Sequence, residues 1–175
     1  ALLFKSIVES ERTDVCDLYI YDLYSSPERR HFLDIIEKYG SRVYQLPRKV
    51  PRVAPLCYLP GALGNWSQSV AHVLRQGGYS TAYFSLDHMV VSGGLAALHC
   101  HVPNIILHTH NMAPTAVGYR DSELHGWRTA YRSLLSHSQT TLVTCCNAAA
   151  RDYAQWTDLP LESIRVIPNG LEFPA

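Results

Sequence analysis

The feature that most constrains the fold is the stretch at residues 102–107 (VPNIIL), a short apolar run rich in β-branched side chains. Such a run predicts a strand that is buried on both faces, as the strands of a parallel sheet are. The chain turns polar directly afterwards, with His108, Thr109, His110 and Asn111. Ligands of open α/β sheets bind beyond the carboxyl ends of the strands, so a site is expected at these residues.

Strand and helix patterns alternate along the chain. Strands are predicted at residues 15–23, 42–46, 80–86, 102–107, 140–144 and 163–167. Helices are predicted at residues 2–11, 27–39, 67–76, 89–101, 127–135 and 148–156, and loops at residues 47–63 and 112–125. The alternation indicates an α/β fold, a doubly wound, Rossmann-like parallel sheet with right-handed crossovers and three α/β/α layers.

The helix predicted at residues 89–101 contains two adjacent glycines, Gly93 and Gly94. Each glycine is less favourable in a helix than alanine by about 1 kcal/mol. The pair therefore predicts that this helix packs closely against a neighbouring element.

Composition argues against several classes of function. The 175 residues fit one domain, and 15 Lys and Arg balance 15 Asp and Glu. A neutral chain has no bulk electrostatic attraction to nucleic acid, and no apolar run approaches the roughly 20 residues of a membrane-spanning helix. The five cysteines are odd in number and include no C-x-x-C pair. We therefore expect reduced thiols, with Cys145 and Cys146 as small core residues.

His108 and His110 permit two interpretations. Alternate residues of a strand share a face, so both imidazoles point to one side. They form either a metal site of the H-x-H type, as in zinc-dependent hydrolases, or a hydrogen-bonding polar group in a cleft. Further ligands for a metal lie nearby in the sequence or at the neighbouring strand end: Asp87, His88, His99 and His101. The chain has no H-x-x-x-D or H-x-x-E-H pattern to strengthen the metal site, and both interpretations stay open at this point.

Three segments resemble motifs of a known family. Residues 162–172 (ESIRVIPNGLE) resemble the segment that ends the N-terminal Rossmann-like domain of retaining glycosyltransferases of family GT4, which have the GT-B fold. Residues 102–111 look like the family's strand that ends in a histidine, and residues 141–152 (TLVTCCNAAARD) look like its following strand and helix. The similarity covers the chain from about residue 79 onward. Within the family, the chain looks most like bacterial enzymes of capsular or Vi-type polysaccharide synthesis.

The resemblance implies a domain organisation. Residues 1–167 correspond to the N-terminal, acceptor-side domain, one half of a GT-B fold, and residues 168–175 to the start of the linker to a C-terminal donor-binding domain. Ala1 falls inside the family's first helix, so the family's first strand and glycine-rich loop are expected to be missing. The donor-binding domain is also expected to lie outside this sequence, and the fragment alone is expected to be inactive.

The resemblance also implies a function. Such an enzyme moves a sugar from a nucleotide-sugar donor to a glycan or lipid-linked acceptor in polysaccharide biosynthesis, without a cofactor or a metal. His110 matches the family's histidine that reaches the transferred sugar, whereas the deeper His108 is expected to be a hydrogen-bonded core residue. Asn169 and Gly170 are expected to form a turn and, by resemblance, an interdomain hinge.

Four further residues are candidates for substrate binding: Asp87, His88, Asn111 and Arg120. Asp87 and His88 match positions where the family has cleft residues, and the alternative is a helix cap at Asp87 with a solvent-facing His88. Arg120 is expected in the loop over the cleft, where it suits a phosphate or an acidic sugar. A solvated loop arginine is the alternative there.

Arg128 and Arg132 lie one helical turn apart and are expected on a solvated face, with contact to anionic lipid as the alternative. The resemblance accordingly implies a cytoplasmic enzyme, at the inner face of the membrane if these arginines bind lipid. A metal-dependent hydrolase and a non-catalytic α/β binding domain remain the alternatives to a glycosyltransferase.

Overall fold

The structure is a computed structural model that describes residues 17–20, 42–45, 65–85, 87–114 and 121–169. The chain divides into two compact units, Ala1–Lys49 and Val50–Ala175. In the first unit, β1 (Asp17–Ile20) pairs in parallel with β2 (Arg42–Gln45). Both strands fall within the ranges predicted for them. The helices predicted at residues 2–11 and 27–39 lie outside the described residues.

The second unit alternates helices and strands. Its helices are α1 (Asn65–Gly77), α2 (Asp87–His99), α3 (Asp121–Leu135) and α4 (Asn147–Thr157). Its strands are β3 (Thr81–Ser85), β4 (Asn104–Thr109), β5 (Thr140–Thr144) and β6 (Ile164–Val166), the last preceded by a 3₁₀ turn at Leu161–Ser163. Every helix and strand predicted in this unit is confirmed, and β5 has the bounds that were predicted. The loop predicted at residues 47–63 lies outside the described residues.

Most element boundaries differ from the prediction by one or two residues, and the start of α3 differs by six. Helix α3 begins at Asp121, inside residues 112–125 that were predicted to be a loop. Its first residues, Asp121, Ser122 and Glu123, are hydrophilic but favour a helix N-terminus, which apolar spacing alone does not detect. Strand β4 continues to Thr109, two residues further than predicted, because its backbone pairing with β5 extends to that residue.

The four strands of the second unit form one parallel sheet in the order β3-β4-β5-β6. Strand order follows chain order, so right-handed crossovers place α2, α3 and α4 on the same face of the sheet. The parallel, Rossmann-like α/β class predicted from the alternation is therefore confirmed. None of the helices in the described ranges is both long enough and apolar enough to cross a membrane.

The hydrophobic core lies between this face of the sheet and the helices. On β4, Ile105, Leu107 and Thr109 point to the helices and are almost completely buried. Leu107 pairs with Leu142 of β5 in the register of the sheet, and Leu142 is equally buried. Burying a leucine or isoleucine side chain stabilises a fold by roughly 1.5–3 kcal/mol, so this layer fixes which face of β4 turns inward.

Gly93 and Gly94 let α2 approach the sheet, as their position in a helix predicted. A Cβ atom on Gly93 would overlap the ring of Phe84 on β3. A Cβ atom on Gly94 would lie 3.0 Å from a methyl carbon of Leu107 and 3.0 Å from one of Leu134 on α3. The two glycines thus sit where strand, helix and neighbouring helix meet.

An aromatic cluster joins α3 to α4. The ring of Tyr131 lies 5.5 Å from that of Tyr153 and 5.5 Å from that of Trp156, measured between centroids. Tyr153 and Trp156 pack edge to face at 6.0 Å. Such aromatic pairs contribute about 0.5–1.5 kcal/mol each beyond the area they bury. The cluster holds α4 in place, and with it the turn that joins β5 to α4.

The packing of α2 leads to a first prediction. Substituting Gly93→Ala adds a methyl group against Phe84, an overpacking that costs about 1–3 kcal/mol, whereas alanine improves helix propensity by about 1 kcal/mol. We expect the overlap to prevail and the free energy of unfolding, measured in urea, to decrease. In a Phe84→Ala background the same substitution should be neutral or stabilising, because the ring is gone. An equal loss in both backgrounds would show that Gly93 is needed for another reason.

Candidate functional site

Polar side chains collect where β3, β4 and β5 end. Leu107 faces the helices, so His108 on β4 and His110 directly after it face the opposite side of the sheet. Ser85 lies opposite His108 in the strand register, and Tyr83 lies two residues before it on the same face. The site is therefore assembled on the sheet face away from α2, α3 and α4.

His108 is a buried, hydrogen-bonded residue, as predicted. Its side chain is 9% exposed, and its Nδ1 atom lies 2.5 Å from the hydroxyl of Tyr83. Its Nε2 atom is also buried and has no hydrogen-bond partner in the part of the chain that the structure describes. The ring stacks on that of His110 with centroids 4.1 Å apart and a tilt of 32°. The two imidazoles thus share a face, as the strand period predicted.

His110 is half-buried and follows β4 directly. Its Nε2 atom lies 3.1 Å from the Ser85 hydroxyl, and its backbone carbonyl accepts a hydrogen bond from the Cys145 thiol at 3.5 Å. Strand ends from three elements therefore converge on this one histidine. A half-buried imidazole with one nitrogen anchored can offer the other nitrogen to a ligand.

Tyr83 and His108 form an uncharged, hydrogen-bonded pair at neutral pH. Burial lowers the pKa of His108, and repulsion from the neighbouring His110 imidazole lowers it further. Burial raises the pKa of Tyr83, an effect that a hydrogen bond with Ser85 partly offsets. His108 and Tyr83 are thus both neutral near pH 7, which suits the recognition of hydroxyl groups better than that of an anion.

The segment after His110 is tied to α4. The backbone N–H of Ala113 donates to Asp152 Oδ2 at 2.7 Å, and Ala113 itself is fully buried. Asn111 and Met112 are exposed between these two fixed points. Asn111, predicted to lie in the loop over the cleft, is therefore held next to His110 at the surface.

The prediction that Cys145 and Cys146 are core residues is wrong. Strand β5 ends at Thr144, so both cysteines lie in the turn, Cys145 half-buried and Cys146 exposed. Cys146 is the N-cap of α4, and its sulfur accepts a hydrogen bond from Ala149 N–H at 3.5 Å. That hydrogen bond is the main cause that lowers the pKa of Cys146, whereas burial raises the pKa of Cys145. Cysteine here does what serine or threonine does at most N-caps.

The other predicted site residues have different outcomes. Asp87 and His88 are the first residues of α2, directly beyond β3, as predicted, and their side chains lie outside the described part. Arg120 and Gly170 also lie outside the described residues, and Asn169 is exposed. The predicted roles of these residues stay predictions.

The described side chains do not support the interpretation of His108 and His110 as a metal site. Among the side chains that the structure describes, no group of three His, Cys, Asp or Glu residues is placed to hold a metal ion. His99 ends α2 and His101 precedes β4, so both are at the amino end of β4, the edge opposite His108 and His110. These two residues were considered as additional ligands and cannot serve as such.

Arg128 and Arg132 lie on an exposed face of α3, as predicted. Both guanidinium groups donate to the carboxylate of Asp158, which follows α4, and the distance from Arg132 Nη1 is 3.1 Å. Asp158 offsets part of the positive charge of this pair. The arrangement favours a solvated ion-pair cluster over a basic surface for anionic lipid.

Three residues of the site were not singled out from the sequence: Tyr83, Ser85 and Asp152. The run TAYFS at residues 81–85 does place Tyr83 and Ser85 on one face by its period of two. Only the pairing of β3 with β4, however, brings these hydroxyls to histidines 25 residues away. That pairing is a long-range property, and a local pattern does not reveal it.

One comparison with known proteins agrees with the fold. The family model described as Glycosyltransferase Family 4 matches residues 18–173. The chain belongs to this family. The match confirms the resemblance seen in residues 79–172 and extends it to the first part of the chain, where only the order of elements agreed. A glycosyltransferase family 4 domain acts on a sugar donor and an acceptor. No curated protein and no solved structure matched.

The burial of His108 leads to a prediction for pH dependence. Below about pH 6.5, the ordinary pKa of histidine, the unfolded chain binds a proton that the buried His108 does not. The free energy of unfolding should therefore fall as the pH drops from about 6.5 towards the lowered pKa of folded His108. Urea unfolding at a series of pH values should give a shallower fall for His108→Gln than for wild type. A variant of the exposed His137 serves as the control, and equal slopes for all three proteins would contradict the prediction.

Proposed function

We propose that this chain is the N-terminal, acceptor-side domain of a retaining glycosyltransferase with the two-domain GT-B fold. The enzyme transfers a sugar from a nucleotide-sugar donor to a glycan or lipid-linked acceptor in polysaccharide biosynthesis. Membership of glycosyltransferase family 4 supports the reaction class. The observation that carries the proposal is His110, half-buried and anchored at the carboxyl end of β4.

The role of His110 is to hydrogen-bond the transferred sugar and hold its anomeric carbon in line for transfer. Aligning two reactants in this way can supply several kcal/mol of the barrier reduction, because the reaction becomes effectively intramolecular. The neutral Tyr83 and His108 beside it suit a ligand made of hydroxyl groups. The charge of the departing nucleotide is stabilised by residues of the donor-binding domain.

The remaining residues have supporting roles in the proposal. Asn111, exposed beside His110, and Arg120 contact the acceptor, and Asp87 and His88 line the same cleft at the end of β3. Asn169 and Gly170 act as the hinge between the two domains. The reaction requires no cofactor and no metal, and the enzyme works in the cytoplasm, at the inner face of the membrane when its acceptor is a lipid.

The specific pathway is synthesis of a bacterial capsular polysaccharide of the Vi type, a polymer of acidic sugars. A panel of nucleotide-sugar donors with neutral and acidic sugars tests this part of the proposal. The acidic donors should support transfer with the complete gene product.

The test of the site is His110→Ala in the complete gene product. Loss of one hydrogen bond that is aligned with the reacting sugar should lower kcat by about 100-fold. His101→Ala is the matched control, since this exposed histidine lies at the opposite edge of the sheet and should leave transfer unchanged. Transfer at the wild-type rate in His110→Ala would remove His110 from the site. Bound zinc in stoichiometric amount would instead support a metal-dependent hydrolase.

A further inference from the structure

The two histidines of the site are each anchored by a hydroxyl group from the neighbouring strand. In the register of β3 and β4, Tyr83 lies opposite Ile106 and Ser85 lies opposite His108. Each hydroxyl therefore reaches diagonally to the histidine two residues further along: Tyr83 to His108, and Ser85 to His110. The same offset occurs twice, so both contacts follow from one strand pairing.

Different nitrogens of the two imidazoles are used. Tyr83 holds Nδ1 of His108, whereas Ser85 holds Nε2 of His110. In a neutral imidazole one nitrogen carries the proton and the other accepts, and the hydrogen bond made by one nitrogen sets the state of the other. Anchoring Nε2 of His110 leaves its Nδ1 for a ligand.

His108 supports His110 and does not itself reach a ligand. Its Nε2 atom is buried, so a sugar cannot approach it, and its ring stacks against His110 at 4.1 Å. A buried imidazole held by Tyr83 gives His110 a fixed surface to rest on. The orientation of His110 is therefore determined by two contacts, the stack on one side and Ser85 on the other.

We propose that Ser85 is a positioning residue that fixes the tautomer and the orientation of His110. In this proposal the Ser85 hydroxyl donates to Nε2, so the proton of neutral His110 resides on Nδ1, which donates a hydrogen bond to a hydroxyl of the transferred sugar. This inference rests on the proposed function. Tyr83 and Ser85 lie two residues apart on the same face of β3, so the contacts that hold His108 and His110 are neighbours.

The tautomer is measured directly by NMR, without any assay of transfer. Two-bond ¹H–¹⁵N correlation spectra of the protein labelled at histidine, at about pH 8.5 where an ordinary histidine is neutral, distinguish the Nδ1–H from the Nε2–H form. Wild type should show His110 as Nδ1–H. Ser85→Ala should shift His110 towards Nε2–H, and Ser85→Thr, which keeps the hydroxyl, should restore the wild-type spectrum. Thr81→Ala is the matched control, because Thr81 is a hydroxyl residue on the same face of β3 but far from the histidines.

Kinetics of the complete gene product supply the second readout. A misoriented His110 costs alignment in the transition state, so kcat of Ser85→Ala should fall by about 10- to 100-fold, while the KM for the donor stays close to that of wild type. Ser85→Thr should recover most of the loss, and Thr81→Ala should show none. A defect in folding alone would lower the free energy of unfolding without changing the tautomer.

The outcomes separate this inference from the proposed function. An Nε2–H tautomer in wild type, or an unchanged spectrum and kcat in Ser85→Ala, would overturn the positioning role even if His110→Ala abolishes transfer. A tautomer that changes in Ser85→Ala supports the positioning role. If His110→Ala then transfers normally, the proposed function of His110 fails, and the structural relation between the two residues stands.

Discussion

The register between β3 and β4 is the constraint on which the rest of the site depends. It places Ser85 opposite His108, and Leu107 between Phe84 and Leu142. Side chains alternate faces along a strand, so a shift of one residue would turn Leu107 to the open face and both histidines towards the helices. Burial of the leucine layer opposes such a shift. The hydrophobic core therefore determines where the polar groups of the site are presented.

The approach of α2 to the sheet reinforces this register. Gly94 brings the helix axis close to Leu107 and Leu134, and Gly93 leaves room for the ring of Phe84. Well-packed interiors tolerate few voids or overlaps, so the three elements can settle in few relative positions.

On the other side of β5, the Cys146 cap and the Asp152 hydrogen bond to Ala113 tie α4 to the segment after His110. Residues on the helix side of the sheet thus position a site on its far side.

Local patterns predicted much of the second unit, and the reasons for their failures are physical. The bounds of β5 (TTLVT) were predicted correctly, because a short β-branched run between turn residues strongly favours a strand. His108 was correctly expected in the core, whereas Cys146 was not expected at a helix cap, since its apolar character suggested burial. Ser85 and Tyr83 were not predicted as site residues, because their hydrogen bonds are to histidines 25 positions away in the sequence. Sequence alone predicted the elements and placed His110 at the end of β4. The contacts that orient His110 are tertiary contacts, which the sequence pattern does not show.

The character of the site agrees with a glycosyltransferase domain. Burial keeps the Tyr83 hydroxyl and the His108 imidazole in their neutral forms, which favours hydrogen bonds to a polyhydroxylated ligand. The most direct test of the account is a crystal structure of the complete gene product with an intact nucleotide-sugar donor. The account predicts a sugar hydroxyl within about 3.2 Å of Nδ1 of His110. A bound donor whose sugar lies more than about 3.5 Å from both nitrogens of this imidazole would contradict the account.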